Sequence, residues 1–306
     1  ARAWFAWNSV ERVEFNLDAA REQLPSPEPS GDTGSTTTTI PASEDQVDYL
    51  SILVVGADEQ ASLELSQFAD SVILYLVPDN GDRPKLVSFP RDMAIVDPCT
   101  GEESKLVLLL EPCETFISAP EHVALALEEF GGIGIDHFAL LSFDTLRGVV
   151  DAVGGVEICT EHAMREGTYE IKPAGCAVLD GEHALAFIRS RATQVLIDGE
   201  WVFLEDQIGD VGRVSRHQQL LFALLAEVTE MRSPADLAGI AESVSDSFIL
   251  SESIGLGDAI AMVWDLRGGG GVDTFVFPTE GSTLPDGETY AARPTTTLRE
   301  LVETSG

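Results

Sequence analysis

Tyr49-Leu50-Ser51-Ile52-Leu53-Val54-Val55-Gly56-Ala57-Asp58 is the stretch that decides the fold. A short apolar run that stops at a glycine, with a carboxylate just beyond, is the pattern of a buried strand. Residues 71–77 and 85–89 repeat it, and Asp79-Asn80-Gly81-Asp82 between them is a hairpin signal. Further along, residues 121–130 have helical periodicity and stop at Gly131-Gly132. Residues 137–143 read as a strand, 144–153 as a helix closed by Gly154-Gly155, and 156–159 as the next strand. Asp180 caps a helix that reaches Ile188, and residues 213–231 form a long amphipathic helix. Strands and helices interleave, so the expected class is α/β: a mixed central β-sheet flanked by helices.

Outward from this centre the pattern weakens. Residues 9–17 alternate like a strand, and residues 25–39, dense in Pro, Ser, Gly and Thr, read as a linker. Beyond the long helix, Ser233-Pro234 starts a helix, residues 254–266 suggest another, and 272–277 a strand. The expected organisation is a membrane-proximal segment (1–24), a linker (25–48), a main domain (49–228) and an extension packed on it (229–306) with a loose polar tail.

Charge narrows the function. The 306 residues hold 52 acidic and 18 basic side chains, a formal net of −34. That balance argues against a nucleic-acid partner, whose phosphates need a basic footprint. Fifteen of the basic residues are arginine, whose planar fork matches phosphate oxygens. Five fall in three short segments: Arg91, then Arg189 and Arg191, then Arg213 and Arg216. The last two share a face near a helix start, where free N–H groups also attract anions. The plainer reading pairs each arginine with one of the many carboxylates.

Asp58 and Asp70 stand at the ends of neighbouring strands, where two carboxylates can share a hard cation such as Mg²⁺ with a phosphate ligand. Taken singly, each is also an ordinary turn residue. Cys99, Cys113, Cys159 and Cys176 fall as two local pairs. Cys99–Cys113 and Cys159–Cys176 are the expected disulfides, each closing a loop of about 15 residues and implying an oxidising compartment. Four buried thiols are the alternative. No run of about 20 apolar residues occurs. The opening Ala-Arg-Ala-Trp-Phe-Ala-Trp resembles the interfacial end of a removed transmembrane helix, or an apolar terminus packed on the domain.

Seven segments, in order from about residue 49 to 228, carry a resemblance. They are Leu-Val-Val-Gly-Ala-Asp (53–58), Ala-Asp-Ser-Val (69–72), Val-Ser-Phe-Pro-Arg-Asp (87–92) and Ile-Asp-His-Phe (135–138). Val-Asp-Ala-Val-Gly-Gly-Val-Glu (150–157), Leu-Asp-Gly-Glu-His-Ala-Leu-Ala-Phe-Ile-Arg-Ser-Arg (179–191) and Asp-Val-Gly-Arg-Val-Ser-Arg-His-Gln-Gln (210–219) complete them. Together they resemble the LytR-CpsA-Psr cell-envelope proteins. The resemblance implies a single-pass membrane protein with its catalytic domain outside the cell. It implies transfer of a glycopolymer from a polyprenyl-pyrophosphate carrier to peptidoglycan, with the prenyl tail in an apolar pocket and Mg²⁺ on the pyrophosphate. By match of motif, Asp58 and Asp70 are the implied Mg²⁺ ligands. Arg91, Arg189, Arg191, Arg213 and Arg216 are the implied pyrophosphate clamp, with Lys105 and Gln219 as further contacts. Asp92, Asp58 or Asp70 is the base for the acceptor hydroxyl. Three departures stand out: Gln60 replaces a usual arginine, Val-Leu-Leu-Leu-Glu-Pro-Cys after Lys105 replaces small polar residues, and the segment 193–207, with Trp201 and Phe203, is longer than the family's connection and is expected to be a lid over the pocket. The rival functions are a polyprenyl-pyrophosphate pyrophosphatase and a non-catalytic envelope-lipid binding protein.

Overall fold

The structure, a computed structural model, describes residues 10–24, 47–57, 69–113, 117–230, 248–255, 272–287 and 289–303. Its strands, numbered along the chain, begin with β1 (Glu11–Val13), β2 (Tyr49–Ala57), β3 (Ala69–Pro78), β4 (Lys85–Phe89), β5 (Ala94–Val96) and β6 (Glu103–Lys105). They continue with β7 (His137–Ser142), β8 (Val156–Thr160), β9 (Met164–Glu166), β10 (Tyr169–Lys172), β11 (Gly175–Leu179) and β12 (Ala192–Ile197). The last are β13 (Glu200–Ile208), β14 (Phe248–Ser251), β15 (Asp273–Val276), β16 (Thr279–Thr283) and β17 (Tyr290–Pro294). The described helices are α1 (Leu17–Gln23), α2 (Ala119–Gly131), α3 (Phe143–Val153), α4 (Gly181–Arg189), α5 (Gly209–Glu230) and α6 (Leu298–Glu303).

The apolar run that opened the sequence lies inside a seven-stranded sheet of order β1-β14-β7-β2-β3-β4-β15. β2 runs parallel to β7 and antiparallel to β3, so the sheet is mixed, as expected. Side chains alternate across it. Leu53, Val55, Leu74, Leu76, Val87 and Phe138 enter one core with residues of α1, α2 and α6, such as Leu17, Val123 and Leu298. Ile52, Tyr75, Leu86 and Ala139 turn to the other face, where Leu221 of α5 packs. Helix ends follow the local sequence. Ser118 and Glu121 form a capping box at the start of α2, and Gly132, at φ 64°, ends it in the left-handed region.

Three expectations need correction. The flanking segments are parts of the main sheet, not appendages. β1 pairs parallel with β14, which pairs with β7, and β15 pairs with β4. The tail is not loose: β16 and β17 form a hairpin, and α6 buries Leu298 and Val302. The polar composition there belongs to the exposed faces of elements whose few apolar residues point inward. The segment expected as a lid is the β12–β13 hairpin of a second sheet, order β10-β9-β12-β13. Asp198 and Gly199 turn it with φ of 51° and 87°, the left-handed pair of a two-residue hairpin. Val202 and Leu204 are partly buried against the core formed by α3, α4 and β8. The linker 25–39, the Ser233-Pro234 helix start and most of 254–266 lie outside the described residues.

Both expected cysteine pairs lie at disulfide distance: Cys99–Cys113 at 2.12 Å and Cys159–Cys176 at 2.04 Å. Cys159 and Cys176 face each other directly across β8 and β11.

Candidate active site

Strand direction gathers the charged motifs at one edge of the sheet. Ala57, the last residue of β2, pairs with Ala69 at the start of β3 and with Ser142 at the end of β7. Val72 near the start of β3 pairs with Phe89, the last residue of β4. Asp70, the second residue of β3, and Arg91, two residues past β4, therefore belong to the same edge. Asp58 follows Ala57 in sequence but lies outside the described residues, as does Gln60.

Arg91 is half-buried, and its carbonyl accepts the Val107 N–H at 2.9 Å. The next residue, Asp92, binds Lys105: Nζ lies 3.0 Å from Oδ1, with both side chains partly exposed. Lys105 ends β6, and the Leu106–Leu110 segment that departs from the family pattern is a 3₁₀ turn burying Leu106, Val107, Leu109 and Leu110. The apolar residues there serve the core, which accounts for the departure.

The spacing of two between Arg189 and Arg191 suggests an extended segment with both on one side, but the first of them lies in a helix. Asp180 caps α4 by accepting the His183 N–H at 2.9 Å, and the helix continues through Arg189. The buried stripe Ala184, Phe187 and Ile188 holds it to the core. Even so, Arg189 and Arg191 are exposed while Ser190 between them is 1 % exposed, so the two side chains leave from the outer side of the turn.

Helix α5 carries the other two arginines, both 1 % exposed, whereas Gln219 is exposed. Arg216 is engaged with the main chain at the end of α4. Its Nε donates to the Phe187 carbonyl at 2.7 Å and its Nη2 to the Ser190 carbonyl. His217 Nε2 lies 3.1 Å from the Ile188 carbonyl, an acceptor, so this nitrogen carries the hydrogen. These are carbonyls that the end of α4 leaves without helical partners, and a cation there also suits the helix dipole. Burial pulls the Arg216 guanidinium down to about 10, still charged at neutral pH. On the other side of the same turn, Glu166 Oε1 accepts the N–H groups of Arg191 at 3.3 Å and Ala192 at 3.1 Å. The Ser190 and Thr193 hydroxyls meet at 2.6 Å.

An apolar cavity of about 310 Å³ lies between the sheet and helices α3 and α5. Its sheet wall runs from the Ile52–Tyr75–Leu86 row, through Val54 and Ile73, to Gly56 and Ser71 at the charged edge. That is about 13 Å along the strands. A β-carbon on Gly56 would overlap the Ser71 hydroxyl, so a larger residue here requires that side chain to turn away. Leu146 and Val149 of α3 and Leu220, Leu221 and Leu224 of α5 close the far wall, together with Ile188 and His217. Ile188 and His217 are sequence neighbours of Arg189 and Arg216, so one apolar wall is continuous with both arginine elements. A larger open depression of about 700 Å³ surrounds Asp151, Lys172 and His183, and none of the candidate arginines lines it. Lys172 Nζ there is satisfied by Thr160 Oγ1 and by the carbonyls of Pro173 and Gly175.

Burial, reinforced by the nearby Arg213 charge, drives His217 down to about 4, against 6.5 for the free group. The ring is therefore neutral at pH 7. Because the unfolded chain binds this proton first, stability falls as pH drops from about 6.5 towards about 4 and changes no further from this group below that. A His217→Gln chain, neutral throughout, is expected to lose less stability over that window. Denaturant unfolding of both proteins at pH 7, 5.5 and 4.5 measures the difference, in which the common carboxylate titrations cancel.

Among the described residues, two groups have metal-like spacing: Asp97–Cys99–His122 and Glu157–Cys159–Cys176. Their cysteines are all in the pairs at disulfide distance, so neither offers a thiolate. Sequence reasoning missed Glu166 and His217. Glu166 is one of 52 acidic residues and stands in no motif; His217 lies within the quoted 210–219 motif, beside the arginine that drew attention.

A family model, the LytR_cpsA_psr family, matches residues 19–305. The probable cell wall biosynthesis protein LcpB of Corynebacterium glutamicum is 32% identical over 161 residues, covering 52% of this chain and 34% of that protein. The polyisoprenyl-teichoic acid–peptidoglycan teichoic acid transferase TagV of Bacillus subtilis is 25% identical over 260 residues, covering 82% of this chain and 62% of that protein. The chain spans less than half the length of the two Corynebacterium relatives it matches, LcpB and LcpA. Among solved structures, a LytR-Csp2A-Psr enzyme from Actinomyces oris superposes with a TM-score of 0.66 at 23% identity, covering 85% of this chain and 92% of that one. TagT bound to LIIa-WTA superposes with a TM-score of 0.61 at 19% identity, covering 84% and 89%. The mixed sheet flanked by helices is the fold of these enzymes. With its motifs in order along β2 to α5 and the family match running over nearly its whole length, the chain belongs to the LytR_cpsA_psr family.

Proposed function

We propose that this chain transfers a glycopolymer from a polyprenyl-pyrophosphate carrier to peptidoglycan during cell-envelope assembly. The observation that carries the reading is the cavity: its apolar wall ends at the edge bearing Asp70 and Arg91 and borders the elements bearing Arg189, Arg191, Arg213 and Arg216. An amphipathic lipid pyrophosphate needs both halves of that arrangement. The names of the relatives, transferases of teichoic acid to peptidoglycan among them, support the same class.

In this reading the acceptor hydroxyl oxygen attacks the phosphorus next to the sugar. A new phosphodiester bond forms, the bond between the two phosphates breaks, and polyprenyl phosphate leaves. The hydroxyl proton passes to Asp58, Asp70 or Asp92. Asp92 already gives one oxygen to Lys105, which fixes its orientation. Guanidinium groups hold the non-bridging oxygens and take up the charge that grows on the leaving phosphate. Asp58 and Asp70 suit Mg²⁺ as a donor set of hard carboxylate oxygens: Asp70 is the second residue of β3, and Asp58 follows the last residue of β2 in sequence. When bound, the ion supplies positive charge at the pyrophosphate. The two cysteine pairs support an extracytoplasmic setting, and a membrane tether is part of the same proposal by the family resemblance alone. Among the described residues no helix is long and apolar enough to cross a membrane.

The test is a product assay with lipid-linked glycan, Mg²⁺ and peptidoglycan fragments. A glycan joined to the acceptor through a phosphodiester supports the proposal. Free phosphorylated glycan alone makes the chain a pyrophosphatase, and an unchanged donor makes it a lipid-binding protein.

A further inference from the structure

We propose that Glu166 is a positioning residue for the Arg189/Arg191 pair, acting through the main chain opposite Arg216. The proposal rests on the reading of these arginines as a pyrophosphate clamp. Residues 187–192 make a turn out of α4, a place where helix geometry strands several carbonyls. From one side, Arg216 and His217 take the carbonyls of Phe187, Ile188 and Ser190. From the other, the Glu166 carboxylate takes the N–H groups of Arg191 and Ala192. The Ser190 N–H bonds Ala186, and the buried Ser190 hydroxyl bonds Thr193.

The turn is thus held between a buried cation on a helix and a carboxylate on the second sheet, and Glu166 and Arg216 attract each other across it. The two arginine side chains leave from a main chain with little freedom. A guanidinium fork binds phosphate oxygens bidentately only when its plane is aimed, so a fixed main chain lowers the ordering cost of binding. The second sheet thereby acquires a role at the site, since it carries Glu166 at the end of β9, with β12 starting at Ala192.

Charge and position have opposite signs here, which makes the idea testable. A carboxylate near an anion site opposes anion binding by charge, and removing it should tighten binding. Removing a positioning acceptor should weaken it. Glu166→Gln keeps an oxygen acceptor in place and removes the charge; Glu166→Ala removes both. Titration of the chain with geranylgeranyl pyrophosphate and Mg²⁺ is expected to show about tenfold weaker binding for Glu166→Ala, the loss of the turn's hydrogen bonds. Glu166→Gln is expected to bind as well as the unmodified chain or better. Hydrogen exchange of residues 187–193 without ligand is expected to speed up in Glu166→Ala only. Both variants tightening alike, or neither altering affinity or exchange, overturns the proposal. If the unmodified chain binds no geranylgeranyl pyrophosphate, the clamp reading fails, and exchange alone decides whether Glu166 holds the turn.

Discussion

On the proposed transferase reading, replacing Arg191 with alanine is expected to lower turnover on a lipid-pyrophosphate-linked glycan by about two to three orders of magnitude, the usual cost of removing one preorganised donor to a developing negative charge. The same change barely moves the melting temperature, because the Arg191 side chain is exposed and surface ion pairs contribute at most about 1 kcal/mol. Arg191→Lys keeps the charge and loses the planar fork, so it restores only part of the activity. The contrast with Arg216 is sharp. Arg216 is 1 % exposed and holds two carbonyls, so Arg216→Ala leaves buried acceptors without donors and costs stability as well as activity. Turnover and thermal melting on both alanine variants separate the two roles. A normal rate in Arg191→Ala removes it from the site.

Filling the apolar cavity has the second large effect. Leu221 sits on α5 with its side chain on the cavity wall. Leu221→Trp places an indole in the space assigned to the prenyl tail. Burial of each methylene contributes about 0.8 kcal/mol, so displacing on the order of four of them weakens prenyl pyrophosphate binding by about 200-fold. Stability holds or rises slightly, since an apolar void is being filled. Binding of inorganic pyrophosphate, which has no tail, is expected to stay unchanged. Equal loss for both ligands points to distortion of α5 instead.

Legibility in the sequence tracked how local the cause was. The β2 run, the Gly131-Gly132 and Gly154-Gly155 stops and the Asp180 cap are written in adjacent residues, and each element formed close to its expected bounds. The cysteine pairs were legible for the same reason. What stayed hidden depends on contacts far apart in sequence. β1 joins the sheet through β14, some 240 residues away, and three residues of alternation cannot specify a partner. At the site, Arg216 looked like its neighbour Arg213 because both face inward from one helix. Only the distant end of α4 shows that Arg216 is engaged with main-chain carbonyls. Glu166 was invisible because its contacts are with N–H groups that carry no sequence signature.

The central claim is that one ligand spans the apolar cavity and the arginine edge. Calorimetric titration of the chain in Mg²⁺ with geranylgeranyl pyrophosphate and, separately, with inorganic pyrophosphate tests it most directly. Tighter binding of the prenyl ligand by about 100-fold or more, with the negative heat-capacity change of apolar burial, is the predicted result. Equal affinities for the two ligands, or no binding of either, contradict it.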